Sequence, residues 1–208
     1  MVFQTVPEGK LTSDKFLEQN ELDNILKYAY EQNVRYASLC EWLYLTGMRV
    51  GEATALNYHD ICRDDEGTWH ASITSTLDYN HMIDDQKKAK TAKTASSVRD
   101  VILVEIYQRW YEAQLDAKFL FRTTHRTPIQ SSALNTFLRT AANKLGIIKK
   151  VSSHIFRHTH ISKLAELGMP LYLIQERVGH KDSRITKQIY PHVTHEALVK
   201  NQYKLESL

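Results

Sequence analysis

Residues 152–179 read SSHIFRHTHISKLAELGMPLYLIQERVG, and their hydrophobic spacing decides the fold class. Phe156, His160, Ile161, Leu164 and Leu167 recur at three- to four-residue intervals between Ser152 and Gly168, the period of an α-helix. Pro170 opens another helix with Leu171, Ile174 and Val178 inward, since proline is tolerated at a helix start and not in its interior. In the first of these helices His154 and Arg157 stand three residues apart and therefore share a face. A hydrogen-bonding imidazole and a forked guanidinium thus point the same way. Arginine suits a phosphate because its planar donors hold two oxygens at once and its charge is not titrated away.

Upstream, Leu22, Ile25, Leu26 and Ala29 predict one helix, and Tyr36, Leu39, Cys40 and Leu43 a second that ends at Thr46-Gly47. A short third helix follows Arg49, carrying Ala53 and Leu56 inward, and the pattern changes at Asn57. The alternating run Trp69 to Leu77 and the β-rich Val98 to Leu103 predict a small antiparallel sheet with a basic loop between two of its strands. The helical period returns at Ile106 and Trp110, then at Leu134, Phe137, Leu138, Ala141 and Leu145 behind a Ser131-Ser132 N-cap, closed by Gly146. The fold class is α+β, mainly α, with one small antiparallel sheet. No repeat or low-complexity segment interrupts it. Residues 1–10, with their Pro and Gly, read as the remnant of a linker, and residues 11–208 as one domain.

With 208 residues, 42% of them hydrophobic and 25% charged, the chain has the profile of a globular protein rather than a disordered or fibrous one. No apolar run approaches the ~18 residues of a membrane span. The start MVFQTVPEGK lacks the basic-then-apolar build of a secretory signal, so a cytoplasmic location and no membrane partner are expected. Cys40 and Cys62 each lie in an apolar stretch and read as a pair of buried thiols, too few for a disulfide framework or a four-cysteine zinc site. The net charge of +3 is mild, but residues 146–208 hold ten Lys and Arg against five Asp and Glu, and six of the ten histidines. Lys87, Lys88, Lys90, Lys93 and Arg99 form a second basic cluster. On charge alone both stretches read as solvated surface.

A single His-x-x-Arg arises often by chance; its neighbours give it weight. TGMRVGE at 46–52 sets Arg49 just after a glycine turn, with Glu52 three residues on to orient it. Val178-Gly179-His180 supplies another imidazole, and ten residues past it stands Tyr190 in Gln188-Ile189-Tyr190-Pro191-His192. In this order the motifs resemble the catalytic domain of a tyrosine recombinase, the phage integrase family, over roughly Lys10 to Leu205. The resemblance implies that family's catalytic fold and a site-specific DNA strand transferase that needs no metal, ATP or cofactor. It makes Tyr190 the nucleophile that forms a covalent 3′-phosphotyrosine. Arg49 and Arg157 become the groups that neutralise the phosphate, His180 a further hydrogen-bond donor, and His154 the group that removes the phenolic proton or positions the phosphate. Glu52 supports Arg49. The general acid is Lys93 in KTASSVR at 93–99, with Lys90 before Thr91 as its rival. Lys87, Lys88, Lys90, Arg99, Lys181, Arg184 and Lys187 are the DNA-binding candidates, and the partners are double-stranded DNA and other protomers of a synaptic tetramer, reached through the C-terminal segment. The family's amino-terminal DNA-clamping domain has no counterpart in the sequence, so a catalytic fragment or truncated product is expected. Pro191 biases Tyr190 away from helical geometry.

Other readings use the same residues. A type IB topoisomerase shares the chemistry without strand exchange, and a catalytically inactive DNA-binding module would share the fold, although retention of all six chemical positions argues against it. His154 and His158, four apart, could ligate zinc, but the glutamate of H-E-x-x-H is missing. His158 and His160 are expected to be structural or DNA-facing.

Overall fold

Helix α1 (Gln19–Gln32) and helix α2 (Val34–Thr46) meet at Asn33, whose side chain accepts the backbone N–H groups of Arg35 and Tyr36 and so caps α2. These belong to a computed structural model that describes residues 12–79, 82–83, 87–89, 98–103, 118–179 and 189–190. Helix α2 ends at Gly47, which takes the left-handed conformation at φ 67°, and α3 (Val50–Ala55) starts three residues later. Helices α4 (Ser131–Lys144), α5 (Ser153–Glu166) and α6 (Leu171–Val178) complete the described helical part. Among the described residues no helix is long and apolar enough to cross a membrane.

The sheet is antiparallel, in the order β1 (Ile61–Arg63), β2 (Trp69–Ile73), β5 (Arg99–Ile102), with Ala71 opposite both Ile61 and Val101. Two details depart from the sequence expectation. Strand β1 is too short for alternation to reveal it, and the run from Trp69 to Leu77 is not one strand. It breaks after Ile73, and β3 (Leu77–Asp78) pairs instead with β4 (Lys87–Lys88). Leu77 leaves the three-stranded sheet because its side chain is buried against Ala55 and Phe119 in a separate small cluster.

The main core lies between α2 and α5, where Leu39, Leu43, Ile155 and Phe156 are buried together, with Trp42 edge-on to Phe121 at 5.3 Å. A second cluster gathers Phe16, Ile161, Ala165, Ile174, Val178 and Ile189, and Tyr190 packs against it. Ile189 and Tyr190 are helical, contrary to the bias expected from Pro191. Further corrections are local. Gln130, not Ser131-Ser132, is the N-cap of α4, and Leu145 and Leu167, expected inward, are exposed C-caps. Cys40 is buried but Cys62 is exposed, because β1 turns that side chain outward while Ile61 faces the core. The helix expected around Ile106 and Trp110 lies outside the described residues.

Gly47 is a point of close approach between α2, α5 and α6. A Cβ there would sit 2.5 Å from His160 Cδ2 and 3.1 Å from Val178 Cγ1, and the residue already holds a positive φ. Gly47→Ala is expected to lower the unfolding free energy by about 2 kcal/mol, from left-handed strain and the forced displacement of a buried ring together. Urea unfolding checks this; an unchanged midpoint would show that the turn relaxes freely.

Candidate active site

The site forms where three chain ends converge: the C-terminus of α2, the C-terminus of α6 and the start of β5. A helix leaves its last carbonyls without intrahelical partners, and when such an end is buried another group must donate to them. Arg157, on the buried face of α5 and only 2% exposed, does this for two helices at once. Its Nη1 donates to Gly47 O and its Nη2 donates to Val178 O at 2.5 Å. A guanidinium has five N–H donors, so others remain for a ligand.

Arg49 stands at the N-cap of α3, and Glu52, one turn in, accepts both its backbone N–H at 2.9 Å and its Nη1 at 2.6 Å. The orienting role expected of Glu52 is thus a direct contact. Glu52 also receives Arg99, whose Nη2 donates at 2.9 Å and Nη1 at 3.4 Å. Burial alone would raise the Glu52 carboxyl, but the hydrogen bond and charge of Arg99, followed by those of Arg49, hold it below the usual carboxylate range.

The basic cluster around the hairpin is therefore not one open surface. The Arg99 side chain is 7% exposed and points inward, held by Glu52 and by a bond from its Nε to Arg177 O at 2.8 Å. That corrects its reading as solvated surface. Lys88 is partly exposed and paired with Asp60. Lys87 is placed on β4 by its backbone alone. Lys90, Lys93, His180, Lys181, Arg184 and Lys187 lie outside the described residues, as does the segment beyond Tyr190.

His154 is exposed, one turn before Arg157 on α5. Partial desolvation, and after it the charges of Arg157 and Arg49, lower its pKa, so its imidazole is neutral at pH 7 and able to accept a proton. It borders a cleft of about 810 Å³ whose rim includes Lys15, Asn24, Lys149, Lys150 and His158. Lys149 is spoken for by Glu21 at 2.6 Å and by Phe16 O at 3.1 Å. His158 Nδ1 lies 3.1 Å from Lys15 O, which ties α5 to the chain's start.

His160, expected to be structural or DNA-facing, proves structural, and Arg177 is a contributor that the sequence did not single out. His160 is buried under Gly47, and its Nε2 accepts a bond from Arg177 Nε at 3.1 Å. Arg177 Nη2 also donates to Leu45 O at 3.3 Å and to Ile102 O at 3.1 Å. Four guanidinia thus gather here, and Glu52 is their carboxylate partner among the described residues. They disfavour one another's charge. Burial, then Arg49, and further on Arg99, bring Arg157 down to about 9, which still leaves it cationic at neutral pH. Burial and Arg99 lower Arg177 in the same way.

Comparison with known proteins shows the family of the chain. The model of the phage integrase family matches residues 15–197. The integrase of Staphylococcus phage L54a is 35% identical over 198 residues, covering 86% of this chain and 54% of its own length. A probable integrase of prophage ps2 in Lactococcus lactis is 36% identical over 211 residues, covering 92% and 54%. The chain spans about half the length of these curated relatives. Among solved structures, the Tn1549 transposon integrase in complex with transposon right end DNA shares the fold at a TM-score of 0.72 and 21% identity, covering 98% of this chain and 68% of that one.

The buried His160 gives the site a pH signature. Burial, and then the Arg177 charge, push its pKa down to about 3, whereas the unfolded chain protonates it near the ordinary value of about 6.5. Between these limits the unfolded state binds more protons, so stability is full above about pH 6.5 and falls as the pH drops, by up to about 1.4 kcal/mol per pH unit from this group. Denaturant unfolding at about pH 5 and about pH 7 should show the loss, and His160→Gln should flatten it. Equal slopes in the two proteins would place the titrating group elsewhere.

Proposed function

Because the chain belongs to the phage integrase family, we propose that it is a DNA strand transferase that cleaves and rejoins a site-specific duplex through a covalent 3′-phosphotyrosine. The observation that carries this reading is the concentration of guanidinia around Arg157. Arg157 bonds two main-chain carbonyls and its charge is felt together with that of Arg49, so an anion would be favoured between them, and a phosphodiester is the anion that two such guanidinia suit.

The chemistry follows from what the residues can do. A nucleophile reaches phosphorus only if the two non-bridging oxygens are neutralised as charge builds, which is the part for Arg49 and Arg157, with His180 adding a hydrogen bond. The Tyr190 oxygen bonds to phosphorus while the bond from phosphorus to the 5′-oxygen breaks. The phenolic proton passes to a base, for which neutral His154 is the candidate, and Lys93 supplies a proton to the leaving 5′-oxygen. The tyrosyl ester keeps the energy of the original bond, so a different 5′-hydroxyl reverses the step without ATP, and the acid and base exchange roles. Nothing in this sequence of steps calls for a metal. Exchange between two duplexes requires four strand cleavages, which accounts for a tetramer of protomers, linked through the segment beyond Tyr190. Such a protein works where the DNA is, in the cytoplasm of a bacterial host.

The decisive experiment offers a nicked duplex whose cleaved end diffuses away, so that protein is trapped on DNA. Wild-type protein should accumulate as a covalent adduct mapping to Tyr190, and Tyr190→Phe should form none while binding DNA within about 3-fold of wild type. Adduct formation at another tyrosine would overturn the assignment. Arg157→Ala should slow cleavage by about 10²–10³-fold or more, since it removes donors aimed at the transition state, and EDTA should leave the wild-type rate unchanged. Cleavage lost to EDTA and restored by a divalent cation would refute the metal-free mechanism.

A further inference from the structure

The last turn of α6 docks two arginines on consecutive carbonyls. Arg99 Nε binds Arg177 O at 2.8 Å, and Arg157 Nη2 binds Val178 O at 2.5 Å. Where that turn sits therefore decides where both guanidinia sit, and Arg99 in turn holds the carboxylate that orients Arg49. The turn is fixed by the side chain of Arg177, which reaches Leu45 O near the end of α2, Ile102 O at the end of β5 and the buried His160. We propose that Arg177 is a positioning residue of this site, the strut that sets α6 against α2 and β5 so that Arg157 and, through Arg99 and Glu52, Arg49 face one phosphate together. The proposal rests on the strand-transferase reading for what the site acts upon, but the geometry stands without it.

The choice of residue at 177 supports this. Among the described residues no carboxylate bonds the Arg177 guanidinium; its acceptors are two main-chain carbonyls and a neutral imidazole. A mostly buried cation without a counter-ion is a poor contributor to stability, and an apolar side chain would cap the second cluster at less cost. What the guanidinium supplies is a rigid planar fork that reaches three acceptors on three elements, which neither an ammonium nor an apolar side chain can do. Misplacing reacting groups by about 1 Å costs a catalyst on the order of 10²-fold, so a strut of this kind shows in rate rather than in affinity.

The test compares full-length wild type, Arg177→Gln and Arg177→Lys by three measurements: duplex affinity, single-turnover cleavage of the nicked substrate at saturating DNA, and the titration of the Glu52 carboxyl by NMR. Arg177→Gln should slow cleavage ~10- to 100-fold with duplex affinity within ~3-fold of wild type, and Arg177→Lys should recover only part of the rate. In Arg177→Gln the Glu52 carboxyl should titrate at higher pH than in wild type, although residue 177 does not touch it, because Arg99 loses its place. A general loss of stability would lower cleavage and binding together and leave Glu52 unmoved in the folded fraction; that result, or an unchanged cleavage rate, overturns the proposal. If Arg177→Gln fails to fold, Arg177→Lys carries the same three comparisons. If wild type forms no adduct, the strand-transferase reading fails while the Glu52 titration still decides the positioning.

Discussion

The bridge made by Arg157 between Gly47 O and Val178 O is the interaction on which the rest of the site depends. Helices α2 and α6 both end on a left-handed glycine, Gly47 at φ 67° and Gly179 at φ 68°, and both ends are buried. Their terminal carbonyls carry the negative end of the helix dipole and would be costly to leave unpaired away from water. One guanidinium answers both needs. It also explains the close approach at Gly47, because Arg157 and His160 rise from neighbouring turns of α5 and a side chain at residue 47 would collide with the His160 ring.

Placing several guanidinia in one desolvated volume opposes folding, and the lowered pKa values of Arg157 and Arg177 express that opposition. The chain answers it chiefly with geometry: main-chain carbonyls accept from Arg99, Arg157 and Arg177, and Glu52, the carboxylate partner among the described residues, is shared between Arg49 and Arg99. The unfolded chain has no such concentration, so the repulsion is stored in the native site, where an anion such as the proposed phosphodiester would relieve it. A formal net charge of only +3 is then no obstacle to binding a polyanion, since the local field at the ligand is set by the nearest charges and the low dielectric around them.

Much of this was legible in the sequence because amphipathic helices announce themselves by period. The described helices between Leu22 and Val178 follow their apolar spacing to within a few residues, Glu52 contacts Arg49 directly, and Arg157 feels the Arg49 charge. The burial of Arg99 was missed for a reason that the sequence itself contains. Alternation puts Arg99, Val101 and Leu103 on one face of β5, and Val101 and Leu103 are buried while Val98 and Ile102 are exposed. A basic residue on the inward face of a strand needs a buried acid, and Glu52 was the available one. Arg177 could not be found this way, since an arginine in a last helical turn is ordinarily a solvated dipole partner, and only the tertiary approach of α2 and β5 converts it into a strut. Strand β1 and the break after Ile73 were hidden because three-residue strands carry no readable period, and the pull of Leu77 toward Ala55 and Phe119 is non-local.

The same constraints explain why the groups buried here are arginines around a neutral histidine rather than lysines around a carboxylate. Arg157 starts from the most basic of side chains and keeps its charge at about 9. A lysine begins near 10.4, and the same burial beside the same cations would bring it to the edge of neutrality, where it could neither hold two carbonyls nor balance a phosphate. The imidazole of His160 works in the opposite sense. Held far below its ordinary pKa, it offers Nε2 as an acceptor to Arg177 without adding a fifth positive charge to the cluster. A carboxylate in its place would bind Arg177 more strongly but would also draw the other guanidinia toward itself, neutralising from within the field that the site presents to an anion. With a neutral acceptor for Arg177 and one acid shared by Arg49 and Arg99, the Arg157 guanidinium is left bonded to main-chain carbonyls, its charge not cancelled by direct contact with a described carboxylate.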